Sequence, residues 1–416
     1  MKNLYRAQLS LLAVLATLFL ANCGGGAPGC GPATFGTPCT SPVGGTSFGG
    51  GTGGTGGGGG GGSTGVSASQ AAALVYYGNV SIAAAGLTSA GTFGTLSSYT
   101  APKLASNLAD DMLIVNKKFL YVPMGDTTVA GFSIDRSTGT LTVIPGSPFT
   151  VPGTAVTADD VATDPLTRFL FVGSETTPNI WVFQINLTTG ALTLTVGSPF
   201  QTGLSLAADI LAVDASGRFL YAGQTDPTLG VAGYSIDQTS GALTAIPGSP
   251  FALAVAQLHA SPTAELLVGT AAIQDGHVSA TDPHIYVYSL NSSTGVPTAV
   301  SGSPFLTASA PFDFAISPNG RYLYGLETIV ATQKDAPIEG FSLNSGTGAL
   351  ASIGTFSGVP TAEGCQFDQT GVYLFCIDAL SGGSMMTVNG ANPSSGALLH
   401  GADLAAAPDF PFAVTD

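Results

Sequence analysis

Seven positions spaced about fifty residues apart carry an acidic or amide side chain: Asp110 or Asp111, Asp160, Asp209, Gln257, Asp313, Glu363 and Asp409. Gathered on one rim, they would hold a divalent cation such as calcium, or line a polar pocket for a sugar or other hydroxylated ligand. The competing reading is structural, each carboxylate capping backbone N–H groups of its own strand or meeting water. His259 is the one histidine in step with this series, which makes it a candidate general base; a hydrogen-bonded structural imidazole is the alternative. Asp275, His277, Asp282 and His284 crowd one short segment. Such types at such spacing can ligate a metal, although exposed turn-rich loops contain them anyway. Gly-x-Ser-x-Gly occurs only within the glycine-rich stretch, at 45–49 and 61–65, where no strand-to-helix elbow is expected, and no His-Glu-x-x-His helix or phosphate loop is present.

The elements that must position these groups repeat. Gly-Ser-Pro-Phe recurs at 146–149, 197–200, 248–251 and 302–305, and eroded copies extend the register to seven units. Each unit has an apolar first strand, a tight turn such as Asp214 to Gly217, and a buried run such as Phe219-Leu-Tyr-Ala222. An alternating third strand follows, then a hairpin that begins on Asx and ends on Gly, as in Asp237 to Gly241. The fourth strand runs into Gly-Ser-Pro-Phe. Four antiparallel strands per repeat predict an all-β fold, a seven-bladed β-propeller over 67–416. The last residues, Asp409-Phe-Pro-Phe-Ala-Val-Thr415, match the first-type strand Pro311-Phe-Asp-Phe-Ala-Ile-Ser317. The C-terminal strand is therefore expected to complete the N-terminal blade, with 410–415 paired to 74–78. Cys365 and Cys376, on the first and second strands of one blade, should face each other, either as a disulfide or as a buried thiol pair.

The first 22 residues read as a signal peptide: Lys2 and Arg6 precede an apolar run from Leu9 to Ala21, too short to span a bilayer. Leu20-Ala21-Asn22-Cys23 resembles a bacterial lipoprotein signal, which implies lipidation at Cys23; ordinary signal-peptidase cleavage is the alternative. Residues 23–66 are dominated by Gly, Ser, Thr and Pro and read as a flexible tether, holding Cys30 and Cys39. The expectation is an exported bacterial lipoprotein of the cell envelope, at the outer membrane or cell surface. The net charge is −15, and removal of the signal, with its two cations and no acidic residue, makes it −17. So acidic a domain is a poor partner for nucleic acid.

The Phe/Tyr-Leu-Tyr runs, the hairpin over 235–244 and the Gly-Ser-Pro-Phe ends resemble the seven-bladed lactonase-like propellers, which include bacterial phosphogluconolactonases and related surface proteins. The resemblance covers nearly all of 74–416. It implies a site at the channel mouth, where such enzymes engage an anionic lactone with His, Arg and acidic residues. Here Arg136, Arg168, Arg218 and Arg321 fall in turns of the opposite face. An acidic mouth without arginine should repel a phosphorylated lactone. The first reading is therefore a surface binding or scaffold module for a cation, glycan, small molecule or protein. A lactonase-type hydrolase is the alternative.

Overall fold

Each repeat closes into a four-stranded antiparallel sheet, because its apolar runs are separated by turns whose Asx and Gly residues reverse the chain at once. The computed structural model describes residues 67–68, 71–78, 81–96, 111–205, 207–224, 226–271, 282–327, 338–356, 364–378, 385–405 and 411–415. The stretches expected to be signal peptide and tether, with Cys23, Cys30 and Cys39, lie outside them. Compactness divides the chain between Ser63 and Thr64, and every described strand belongs to the second part.

Seven sheets follow one another in sequence. From blade 2 to blade 7 the inner strands are Leu113–Val115, Ala158–Thr163, Ile210–Val213, Gln257–Ala260, Pro311–Ile316 and Gly364–Phe367. The inner strand of blade 1 is Phe412–Thr415, paired antiparallel with Ala73–Tyr77 so that Leu74 meets Thr415 and Tyr77 meets Phe412. Each inner strand touches that of the next blade, and blade 7 touches blade 1. The ring is closed as the terminal repeat predicts.

Second strands are apolar runs because both their faces are covered; every residue of Phe169–Ser174 and Phe219–Gly223 is buried. Four of these strands carry a tyrosine that ties one blade to the next. Tyr76, Tyr121, Tyr221 and Tyr324 are fully buried. Each donates its hydroxyl to the carbonyl of a hairpin glycine in the following blade: Gly139, Gly190, Gly295 and Gly396, at 2.9, 2.7, 2.5 and 2.7 Å. Burial pushes these phenols well above their ordinary range, so they stay protonated donors. The glycines are required twice over. Gly295 has φ +72°, and a Cβ there would come within 2.5 Å of the Phe219 ring of the preceding blade. Tyr221→Phe should cost about 1–2 kcal/mol, since it strips a buried carbonyl of its donor. Urea unfolding measures this, and a loss within experimental error would show that the bond contributes nothing.

The Gly-Ser-Pro-Phe repeat is a device of the outer edge. Sequence alone runs the fourth strand straight into it; instead the strand breaks there, because proline has no N–H for the ladder. The serine hydroxyl accepts a third-strand N–H, from Gly131, Val182, Gly233 or Val287 at 2.8–3.0 Å. All four Ser–Pro bonds are cis. The phenylalanine then pairs again with the third strand, giving blades 2, 3 and 5 an extra two-residue strand. Blades 6 and 7 lack the motif, and their outer strands run unbroken over Leu350–Phe356 and Leu398–Ala405. In blade 7, Cys365 lies opposite Cys376 and the two form a disulfide, which decides between the alternatives the sequence left open.

Candidate functional site at the channel mouth

An inner strand has one neighbour in its own sheet, so some of its backbone N–H groups need acceptors from elsewhere. The acidic series supplies them. Asp111 accepts the Met112 N–H at 2.7 Å and, through its other oxygen, the Val161 N–H of blade 3 at 3.2 Å. Asp160 accepts the Leu211 N–H of blade 4 at 2.5 Å. Asp313 accepts the Phe314 N–H at 2.7 Å. The structural reading of these carboxylates thus holds in widened form, because two of them cap the next blade.

Register sorts the candidates. The pairs Val161–Val172, Leu211–Ala222, Leu258–Gly269, Phe314–Gly325, Cys365–Cys376 and Phe412–Tyr77 are equivalent. One residue earlier stand Asp111, Asp160, Ile210, Gln257, Asp313, Gly364 and Pro411. Asp209 is therefore a residue out of step, and it is buried, with Ile210 in the ring position. A one-residue slip sends a strand side chain to the other face. Asp110, Glu363 and Asp409 lie outside the described residues. Among the described residues no three His, Cys, Asp or Glu side chains converge on a metal-sized space, so Asp160, Asp209 and Asp313 do not form a ligand set.

Asp275 and His277 also lie outside the described residues. Their sequence neighbours engage each other: Asp282 meets His284 Nδ1 at 2.5 Å and accepts the Tyr286 hydroxyl on its second oxygen at 2.7 Å. Burial, then the bond to Asp282 and its charge, push the Tyr286 phenol up.

At the junction of blades 2 and 3 the Asp160 and Asp111 carboxyls share a hydrogen bond. Burial first, then repulsion from Asp111 and that shared bond, raise Asp160 well above the ordinary carboxylate range; the Leu211 N–H opposes and Asp159 adds to the rise. A carboxyl raised in the folded state binds a proton that the unfolded chain has already released. Its stabilising contribution is full below the ordinary carboxylate range, near pH 4, and is lost as pH rises through the folded value. Thermal stability should therefore fall from mildly acidic toward alkaline pH, and Asp160→Asn should flatten that slope. Parallel slopes for the two proteins would refute the assignment.

The next residues along the same strand face form a second level: Leu113, Ala162, Ala212, His259, Ala315, Gln366 and Ala413. Five are aliphatic. His259 is 47% exposed, and its Nε2 meets Asp313 Oδ1 at 3.0 Å. The ring stands edge-on to Phe314, with centroids 4.7 Å apart. A carboxylate on Nε2 places the proton there and leaves the Nδ1 lone pair available as a base. The sequence marks His259 and Asp313 separately but not as a pair. They meet because the diagonal between adjacent inner strands brings the second level of blade 5 against the first level of blade 6.

The cations are elsewhere. Arg168 is held by Asp164 at 2.8 Å and by Gln238. Arg218 and Arg321 lie over the rings of Phe219 and Tyr322, and Arg136 reaches Thr415. These four, with Lys117 and Lys118, occupy turns of the face opposite the mouth. Among the described residues no Lys or Arg stands at the mouth; Lys103 and Lys334 lie outside them.

Fold and site together define a seven-bladed propeller with a partly exposed His–Asp pair that bridges the inner strands of blades 5 and 6. No protein-family model and no curated protein matches the chain. Solved structures do. A candidate 6-phosphogluconolactonase of Bacteroides uniformis aligns over 82% of this chain and 99% of its own, at 17% identity and TM-score 0.62. A second candidate 6-phosphogluconolactonase, from Bacteroides fragilis, covers 83% and 98% at 14% identity and TM-score 0.61. The periplasmic gluconolactonase of Pseudomonas aeruginosa covers 82% and 98% at 15% identity and TM-score 0.55. The fold is that of the lactonase-like β-propellers.

Proposed function

We propose that this chain is an exported propeller, lipid-anchored through Cys23, whose channel mouth hydrolyses a small uncharged lactone. The observation that carries the reading is the His259–Asp313 pair, an exposed imidazole with one nitrogen fixed by a carboxylate. In the reaction, His259 Nδ1 takes a proton from water as the oxygen attacks the lactone carbonyl carbon. The tetrahedral adduct collapses with cleavage of the ring C–O bond. The imidazolium then returns its proton to the departing alkoxide, leaving a hydroxy acid. Likeness in fold to a periplasmic gluconolactonase supports the substrate class. The rim argues against a phosphorylated substrate, since two like charges about 4 Å apart cost around 1 kcal/mol in water and more in a sheltered channel.

A second reading, a binding module for a glycan, small molecule or protein, is favoured by Asp111, Asp160 and Asp313, three carboxyl groups held in place by backbone N–H bonds. Glucono-δ-lactone hydrolysis by the purified protein, followed above the spontaneous rate with and without calcium, separates the two. Metal-independent turnover supports the hydrolase, whereas binding without turnover supports the module.

A further inference from the structure

The proposed chemistry needs a hydrogen-bond donor for the oxygen on which charge develops, and the second level of the channel holds one polar side chain besides His259. That side chain is Gln366, on the inner strand of blade 7, at the position equivalent to His259 on blade 5. Its orientation is fixed by a neighbour. The Val414 N–H of blade 1 donates to Gln366 Oε1 at 3.0 Å, so the oxygen is committed and the amide nitrogen carries the free hydrogens. Between His259 and Gln366 in this ring stands Ala315, and the remaining members are Leu113, Ala162, Ala212 and Ala413. Ala212, Ala315 and Ala413 are buried between blades, whereas His259 is exposed and Gln366 partly so, and these two polar groups are a base and a donor.

We propose that Gln366 is a catalytic residue that donates its amide N–H to the carbonyl oxygen of the lactone attacked by the water that His259 activates. The inference rests on the hydrolase reading for its chemistry. The contact itself can be tested without turnover. The donor is complementary to an oxygen that gains charge in the tetrahedral adduct, so it acts more strongly there than on the bound substrate.

Gln366→Glu separates the two roles of the side chain. It keeps an oxygen for the Val414 N–H and replaces the donor with a second acceptor. The full chain carrying Gln366→Glu should unfold at the wild-type temperature yet lose about 100-fold in kcat/KM toward glucono-δ-lactone, most of it in kcat. Gln366→Met, which removes both roles, should lose activity and thermal stability together. Calorimetric binding of gluconolactam, an unreactive analogue with the same carbonyl, gives the second readout. If the wild type does not turn over but binds the lactam, and Gln366→Glu does not bind it, the hydrolase reading fails and the contact stands. Wild-type turnover unchanged by Gln366→Glu overturns the contact while the hydrolase reading survives. Equal lactam binding by both proteins, or none by the wild type, overturns it when turnover is absent.

Discussion

His259→Ala is expected to lower kcat/KM for glucono-δ-lactone by about 10²–10⁴-fold, the range for removal of a positioned general base. The effect should fall mainly on kcat, because the imidazole moves a proton in the transition state and is one of several groups the bound lactone would touch. Asp313→Asn tests the partner. An amide whose oxygen stays on the Phe314 N–H still accepts from Nε2–H, but it is neutral and no longer stabilises the imidazolium that forms when Nδ1 takes a proton. It should therefore reduce kcat while leaving the imidazole in place. Neither variant should unfold the ring. His259 is half exposed, and the Asn oxygen still accepts the Phe314 N–H that Asp313 now takes at 2.7 Å. The measurement is initial rate against substrate concentration, corrected for spontaneous opening, with a thermal melt for each protein. A His259→Ala protein that matches the wild type would end the hydrolase reading. It would leave the channel mouth as a binding surface.

The fold was legible because the signals are local and recur. An Asx-to-Gly hairpin, a buried run and a Gly-Ser-Pro-Phe end each report a backbone requirement, and four copies expose the period even where terminal units have eroded. Ring closure was legible for the same reason, since the final strand repeats an internal one. The site was less so. Asp209 looks equivalent to Asp160 when repeats are aligned by type, but a shift of one residue along a strand reverses the face, and composition does not report that shift. The break in the outer strand could have been foreseen from the proline. The His259–Asp313 contact and the Gln366–Val414 bond depend on the diagonal offset between neighbouring blades, which no single repeat encodes. Comparing the second position of all seven inner strands would have singled out Gln366, because aliphatic residues fill every other place except that of His259.

Deleting residues 411–416 should abolish the cooperative fold. Phe412, Ala413, Val414 and Thr415 are all buried, and they form the one strand that lies between Ala73–Tyr77 and the channel. Ala413 packs in the cluster that holds Tyr76 and Leu120, whereas Phe412 and Val414 pack with Val75, Phe375 and Val388. The strand therefore seals blade 1 against blade 2 on one side and blade 7 on the other. Loss of the Phe and Val side chains alone removes about 1.5–3 kcal/mol each. The deletion also exposes the backbone edge of Ala73–Tyr77 and leaves the Gln366 oxygen and the Gly78 N–H without the partners they have in Val414 and Pro411. Together these losses approach the 5–15 kcal/mol that holds a typical domain folded. Circular dichroism during heating should show a broad, low-temperature transition in place of a sharp one. In hydrogen exchange, the amides of Ala73–Tyr77 should lose protection first. Val414→Ala is the graded version: it keeps the strand, removes two methyl groups from a 5%-exposed site and should cost about 1–3 kcal/mol. A truncated chain that melts sharply, within a few degrees of the full protein, would mean that the terminal strand decorates a ring already closed by other contacts.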